Sequence, residues 1–151
     1  MKYASILGYG FDCPDAHLEI CRELVPILCN NGYGICAGGY IGIFAAAFKA
    51  AKEHTGQTLL CTDANTKEID TQFIDQVIIT PTTDEKHDLI VSKSDLVLVI
   101  GGGKGTEMLA TKFMKADKTM YLVEGTGGAV EVLGKKVNAL PIDRVKQEIL
   151  N

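Results

Sequence analysis

The chain has 151 residues, of which 46% are hydrophobic and 23% are charged, as in an ordinary globular domain that buries one core. The formal net charge of −4, without any run of basic residues, argues against general binding of nucleic acid, so we expect no nucleic-acid partner. No apolar stretch approaches the roughly 18–20 residues that a membrane span needs, so we expect no membrane partner either.

The five cysteines are Cys13, Cys21, Cys29, Cys36 and Cys61. Their odd number and the lack of a C-x-x-C pair favour reduced thiols over disulfides or a zinc site, and we expect no bound metal. Residues 1–8 are too short and too broken by glycine for a signal peptide, and they are typical of a first strand. Both observations favour a cytoplasmic protein.

Short apolar runs alternate with amphipathic segments along the chain, which predicts an α/β fold with a parallel sheet and helices on both faces, in one domain over residues 1–151. The predicted strands are Tyr3–Leu7, Gly34–Ala37, Thr58–Cys61, Val77–Thr80, Asp95–Ile100 and Lys118–Val123. The predicted helices are Asp15–Asn30, Ile43–His54, Thr83–Lys93, Glu107–Asp117 and one that starts at Pro141. Pro26 lies inside the first helix, where we expect a kink or a break. Residues 62–71 are polar and predict a surface loop.

A glycine cluster stands between the apolar run Leu96–Ile100 and the helix that is predicted to follow. The N-terminus of a helix carries unpaired N–H groups and a partial positive charge, and glycine lets the backbone approach a phosphate closely. We therefore expect this loop to bind phosphate through Gly102, Gly103, Gly105 and Thr106, with Lys104 adding positive charge. The alternative is a plain turn in which the threonine caps the helix.

Further glycine-rich loops follow other predicted strands, and parallel strands end at a common edge of the sheet. We expect Gly38, Gly39 and Gly42 to form a second wall of the same cleft. Additional contacts are predicted for Gly8, Gly10, Asp12, Gly127 and Gly128. The alternative is that these glycines serve only the steric needs of strand-to-helix turns.

These motifs together resemble the LOG (Lonely Guy) family, once called lysine-decarboxylase-like, whose members are cytokinin nucleoside-monophosphate phosphoribohydrolases. Relatives of that family include molybdenum-cofactor carrier proteins and the nucleotide-sensing SLOG domains. Gly102–Thr106 resembles the signature P-G-G-x-G-T-x-x-E, and Gly38–Gly42 resembles G-G-G-x-x-G. Asp84-Glu85-Lys86-His87 falls where these enzymes carry H-E-R-K, and Gly125–Gly128 resembles a loop of the cofactor carriers.

The resemblance implies a three-layer Rossmann-like fold over nearly the whole chain and a homodimer or higher homo-oligomer. It also implies that the partner is a phosphorylated small molecule, either a nucleotide or a nucleotide-derived cofactor such as a pterin phosphate. Binding would serve a carrier or sensor role, with no cofactor required. The alternative is a LOG-like phosphoribohydrolase, which cleaves the N-glycosidic bond of a nucleoside 5′-monophosphate.

Two positions depart from the enzymes of that family, which use the arginine of H-E-R-K and the final glutamate of the glycine signature. In this chain Lys86 and Leu109 stand there. If the chain is an enzyme, the resemblance gives Glu85 the role of holding the ribose, while Lys86 and Glu107 replace the missing pair. His87 is interpreted as a solvated helix residue.

Overall fold

The computed structural model describes residues 1–66 and 68–151. Its strands are β1 (Lys2–Gly8), β2 (Tyr33–Ala37), β3 (Thr58–Asp63), β4 (Gln76–Thr80), β5 (Ser94–Ile100), β6 (Thr119–Val123) and β7 (Ala139–Leu140). Its helices are α1 (Asp15–Asn30), α2 (Ile43–Glu53), α3 (Thr83–Lys93), α4 (Lys104–Lys115), α5 (Ala129–Leu133) and α6 (Ile142–Leu150).

The strands form one parallel sheet in the order β4-β3-β2-β1-β5-β6-β7. Strand β2 pairs with one edge of β1, and β5, which comes later in the chain, pairs with the other edge of β1. Ser5 of β1 is in register with Cys36 of β2, and Gly8 is in register with Ile100 of β5. This reversal of strand order opens a crevice beyond the carboxyl ends of the strands, which is where ligands bind in open α/β sheets.

Two hydrophobic cores lie on opposite faces of the sheet. Helices α1, α2 and α6 bury one, which contains Leu24 and Phe48. Helices α3, α4 and α5 bury the other, which contains Ile90 and Phe113. Burial of each such side chain stabilises the fold by about 1.5–3 kcal/mol. Helices on both faces of a parallel sheet confirm the predicted three-layer α/β architecture.

The elements differ from the predicted ones at three informative places. Helix α1 is continuous through Pro26, so the proline does not mark a break, because a continuous apolar face on either side of it packs on the core. Helix α4 begins at Lys104, inside the glycine cluster and three residues before the predicted start at Glu107. Strand β3 extends to Asp63, which shortens the predicted loop over residues 62–71; Lys67 of that loop lies outside the described residues.

Two elements, α5 and β7, were not predicted. Helix α5 has five residues and β7 has two, so neither is long enough to show a periodic pattern. In the part of the chain that the structure describes, no helix combines the length and the apolar character needed to cross a bilayer. All five cysteines carry free thiols, and the Sγ atoms of Cys36 and Cys61 lie 3.9 Å apart in the core.

Candidate functional site

A cleft of about 380 Å³ opens at the carboxyl edge of the sheet, above the end of β1. Its floor and its cover come from β1, β2, the loops that follow them and Phe44 of α2, and its walls come from α3 and the start of α4. The lining residues are Ile6, Leu7, Gly8, Tyr9, Gly10, Phe11, Ala37, Gly38, Phe44, Lys86, His87, Ile90, Gly103, Gly105, Thr106 and Leu109. The cleft is thus lined mainly by apolar side chains and glycines, and its cationic group, Lys86, lies on the α3 wall.

The N-terminus of α4 has no side-chain cap, because the capping position is Gly103. The first backbone bond of the helix runs from the Glu107 amide to the Gly103 carbonyl, over 3.1 Å. The amides of residues 104–106 therefore have no acceptor within the helix, and they carry the positive end of its dipole. The Thr106 hydroxyl donates to the Gly8 carbonyl at 3.4 Å, which ties this helix start to the end of β1.

Two glycines at the start of α4 have open space where a side chain would lie. A Cβ placed on Gly103 or on Gly105 would have no neighbouring heavy atom within 4 Å. Gly103 also has an extended backbone, with φ of −105° and ψ of −153°, so its conformation does not demand glycine. Internal packing therefore does not explain either glycine, and the space beside them is available to a ligand.

Other glycines hold the loops of the site against one another. Gly42 has φ of +59°, and a Cβ there would overlap the carbonyl oxygens of Tyr9 and Gly10. Likewise, a Cβ on Gly128 would overlap the Gly102 carbonyl oxygen, which accepts a hydrogen bond from the Ala129 amide at 2.8 Å. These close approaches join the loops in two pairs, and the two pairs meet at Tyr9, since the Cβ on Gly128 would also overlap the Tyr9 hydroxyl.

The structure brings seven of the predicted site residues to the lining of the cleft: Gly8, Gly10, Gly38, Lys86, Gly103, Gly105 and Thr106. Five others shape or flank the loops without lining it: Gly39, Gly42, Gly102, Lys104 and Gly128. Asp12 is exposed outside the lining, with φ of +51°, and Gly127 lines a separate cavity near Glu124. The predicted wall of glycines is therefore only partly in contact with the main cleft.

Lys86 supplies the cation of the α3 wall. Its Nζ lies 3.5 Å from Oδ2 of Asp63, and the two side chains are only 16% and 13% exposed. Asp63 also accepts hydrogen bonds from the Asn65 amide at 3.0 Å and the Thr83 hydroxyl at 3.1 Å. These bonds, led by the one from Asn65, hold the pKa of the Asp63 carboxyl below its usual value. Lys86 is thus a positioned ammonium group at the edge of the cleft.

His87 is buried, with 8% of its surface exposed, and it lines the cleft, so its interpretation as a solvated helix residue is wrong. Burial lowers the pKa of its imidazole, and the neighbouring charges of Lys86 and Lys112 lower it further. The signal in the sequence was the spacing of His87, Ile90 and Val91, which puts all three on the buried face of α3.

Glu85 and Glu107, the two predicted catalytic carboxylates, lie outside the lining of the cleft. Glu85 is held at the start of α3 by Thr82, the N-cap residue: the Glu85 amide donates to the Thr82 hydroxyl, and that hydroxyl donates to the Glu85 carboxylate, both over 3.2 Å. Glu107 lies in the first turn of α4 and pairs with Lys104 at 3.5 Å. Their catalytic roles stay predictions, and Leu109, two residues after Glu107, lines the cleft instead.

The sequence reasoning missed the aromatic cover of the site, which consists of Tyr9, Phe11 and Phe44. The ring of Tyr9 stacks on the ring of His17, with centroids 5.9 Å apart and an interplanar angle of 23°. His17 is buried, and its Nδ1 has no hydrogen-bond partner within the described residues. An aromatic residue on each side of Gly10 was the available signal.

Among residues 1–66 and 68–151, no three histidine, cysteine, aspartate or glutamate side chains gather in a way that could hold a metal ion. The residues that line the cleft carry backbone amides, the hydroxyls of Tyr9 and Thr106, an ammonium group and an imidazole. Such a set is suited to an anion rather than to a metal cation.

The chain belongs to the SLOG cluster4 family, whose profile matches residues 1–148. An uncharacterized protein from Archaeoglobus fulgidus is 27% identical over 101 residues, which are 67% of this chain and 66% of that relative. That match therefore spans just under two thirds of the relative's own length.

Solved structures share the fold at low sequence identity. The X-ray structure of TM1055 superposes with a TM-score of 0.86 at 20% identity and covers 99% of both chains. The molybdenum cofactor carrier protein of Chlamydomonas reinhardtii superposes with a TM-score of 0.79 at 23% identity, again over 99% of both chains. The family and these neighbours confirm the predicted resemblance to the SLOG and cofactor-carrier branch, while identities this low show the fold alone.

The net charge led us to expect no nucleic-acid partner, and this expectation is wrong, because a protein of the same fold binds DNA. DNA processing protein A of Helicobacter pylori, whose structure describes a single-stranded DNA binding mode, superposes with a TM-score of 0.72 at 17% identity. That superposition covers 99% of this chain and 80% of the other. The net charge of a whole chain fails as a criterion because binding depends on the local charge of one surface.

Proposed function

We propose that this protein binds a phosphorylated small molecule, a nucleotide or a pterin phosphate, and acts as a carrier or sensor of it. The observation that carries the proposal is the uncapped N-terminus of α4, where Gly103 and Gly105 leave open space in the wall of the cleft. A phosphate in that space accepts hydrogen bonds from the free amides of the first helical turn.

The rest of the cleft supports the same assignment. Lys86 places a positive charge on the facing wall, where it attracts the phosphate that the amides hold. The remaining lining is mostly apolar, including Ile6, Ile90 and Leu109, so the other part of the ligand is proposed to be a flat, weakly charged group.

The comparisons support binding more than they support a particular ligand. Membership of the SLOG cluster4 family supports a binding role, and the cofactor carriers of the same fold are named for a molybdenum cofactor. We extend that name to this chain only as a reason to include pterin phosphates among the ligands to be tested.

Binding without hydrolysis is proposed over LOG-like phosphoribohydrolysis because of one position on α4. Leu109 lines the cleft where the resemblance places the glutamate of the hydrolases, and an isobutyl group cannot stabilise a developing positive charge. The carboxylates of Glu85 and Glu107 lie outside the lining and are engaged with Thr82 and Lys104. Hydrolysis is thus the second candidate, and released base is its signature.

The test is a thermal-shift panel of nucleoside 5′-monophosphates, pterin phosphates, inorganic phosphate and a single-stranded oligonucleotide, with each stabilising compound assayed for released base. A compound present at a hundred times its dissociation constant stabilises the fold by about 2.7 kcal/mol. Stabilisation by a small phosphorylated compound without release of base is the expected result. Release of base would instead establish the hydrolase, and stabilisation by the oligonucleotide alone would refute the small-molecule proposal.

A further inference from the structure

Phe11 is an aromatic residue that lines the cleft and yet is 81% exposed. It lies in the loop after β1, directly before Asp12, whose backbone adopts φ of +51°. A ring of this size normally enters a core, because its burial removes a large apolar area from water. Because this exposed ring also lines the cleft, it is open to contact with a ligand bound there.

The two other aromatic residues of the cleft already have partners inside the protein. The ring of Tyr9 stacks on His17. The ring of Phe44 packs so closely on the backbone of Gly39 that a Cβ there would overlap it. Phe11 is in no ring pair within the described residues. Among the three aromatic residues of the cleft, Phe11 is the one that is exposed, whereas Tyr9 and Phe44 are partly buried.

We propose that Phe11 determines the class of ligand by stacking on a planar heterocycle whose phosphate lies at the N-terminus of α4. The inference rests on the proposed function and deepens it, because it separates phosphorylated compounds that carry an aromatic ring from simple sugar phosphates. Every purine, pyrimidine or pterin presents such a ring face. The apolar side chains of Ile90 and Leu109 in the same lining are suited to contact the ring as well.

The experiment compares ligands with and without a ring on matched variants. Isothermal titration calorimetry is done on the wild type, Phe11→Ala and Phe11→Tyr. Adenosine 5′-monophosphate and a pterin phosphate serve as ring-bearing probes, and ribose 5-phosphate serves as the ringless probe. Loss of one base–aromatic stack, about 1–3 kcal/mol, weakens binding by about fivefold to a hundredfold. We expect Phe11→Ala to lose that factor for the ring-bearing probes alone, and Phe11→Tyr to retain wild-type affinity.

A fluorescence measurement checks the contact directly, because the chain contains no tryptophan. Phe11→Trp creates a single reporter at the mouth of the cleft. Ile79→Trp, at a 64% exposed position on β4 outside the lining, is the matched control. We expect the ring-bearing probes to quench the fluorescence of Phe11→Trp and to leave that of Ile79→Trp unchanged.

The outcomes separate failure of this inference from failure of the proposed function. If no phosphorylated probe binds the wild type, the proposed function itself fails. If adenosine 5′-monophosphate or the pterin phosphate binds the wild type and Phe11→Ala equally, or if Phe11→Ala weakens ribose 5-phosphate by the same factor, stacking is overturned. Two further measurements on Phe11→Ala can also overturn stacking. If the substitution changes only the sedimentation coefficient in analytical ultracentrifugation, the ring contacts a second copy of the chain. If it changes only the affinity for a single-stranded oligonucleotide, the ring contacts nucleic acid.

Discussion

Gly105→Ala is expected to make the protein more stable and at the same time a weaker binder. Gly105 is the second residue of α4, and a Cβ there would meet no heavy atom within 4 Å. Glycine within a helix is less favourable than alanine by about 0.5–1 kcal/mol, because the glycine backbone loses more entropy on folding. No clash opposes this gain, so the free energy of unfolding should rise by up to that amount.

The same methyl group would occupy the space that we assign to the phosphate. For a chain of this size, 1 kcal/mol corresponds to a change in Tm of about 2–4 °C, so the ligand-free variant should melt about 1–4 °C higher. Displacing the phosphate from its amide donors should weaken binding of adenosine 5′-monophosphate or a pterin phosphate about tenfold, which corresponds to about 1.4 kcal/mol.

Circular dichroism measures the melting of the ligand-free protein, and calorimetry measures the affinity. Thr111→Ala is the matched control, since Thr111 is an exposed residue of the same helix, away from the cleft, and alanine also raises its helix propensity. The control should be at least as stable as the wild type and bind equally well. A lower Tm for Gly105→Ala would contradict the open space at this position. Unchanged affinity would refute the placement of the phosphate at α4.

Three further predictions follow from the fold and the site. Gly42→Ala should lower the free energy of unfolding by about 2 kcal/mol or more in urea titrations, because φ of +59° and the overlap with Gly10 leave no room for a methyl group; a loss below 0.5 kcal/mol would contradict the loop contact. Lys86→Gln should weaken phosphate binding about tenfold and make that binding less dependent on salt concentration in calorimetry. Lys112 pairs with Asp84 and Asp88 outside the cleft, so the control Lys112→Gln should bind like the wild type. Burial holds the pKa values of His17 and His87 below 6.5, so the unfolded chain binds their protons more readily and the free energy of unfolding should fall as the pH drops below 6.5. Urea titrations across this range should show a weaker fall for His87→Asn than for the wild type, and an equal fall in the two proteins would contradict the burial of His87.

The sequence is sufficient to predict the fold because local pattern and tertiary packing agree along most of the chain. Helix α3 has the predicted bounds, Thr83–Lys93. The run Leu96–Ile100 is buried throughout, as expected for a strand with helices on both faces. Helix α5 could not be predicted, since its start depends on the long-range bond from the Ala129 amide to the Gly102 carbonyl.

The site is predictable only as far as its backbone. Glycine loops at the ends of parallel strands indicate one shared edge of the sheet, and the structure brings those loops together there. Side-chain environments depend on contacts between distant segments. His87 is buried by neighbouring elements, and Lys86 is paired with an aspartate 23 residues earlier in the chain. The spacing of His87, Ile90 and Val91 in α3 indicates that His87 faces the core, whereas nothing in that helix indicates the ion pair of Lys86.

The central position of β1 has a consequence for how the site is assembled during folding. The floor of the cleft includes Leu7 and Gly8, whereas the α4 wall begins at Gly103. The Ser5 hydroxyl is hydrogen-bonded to that of Ser94, 89 residues further along the chain, at 2.7 Å. Contacts over such sequence separations form late, because a long loop must first be closed. A nascent chain that ends before β5 therefore has β1 as an exposed sheet edge and no cleft at all, so binding competence arises only once β5 and α4 have been synthesised and paired.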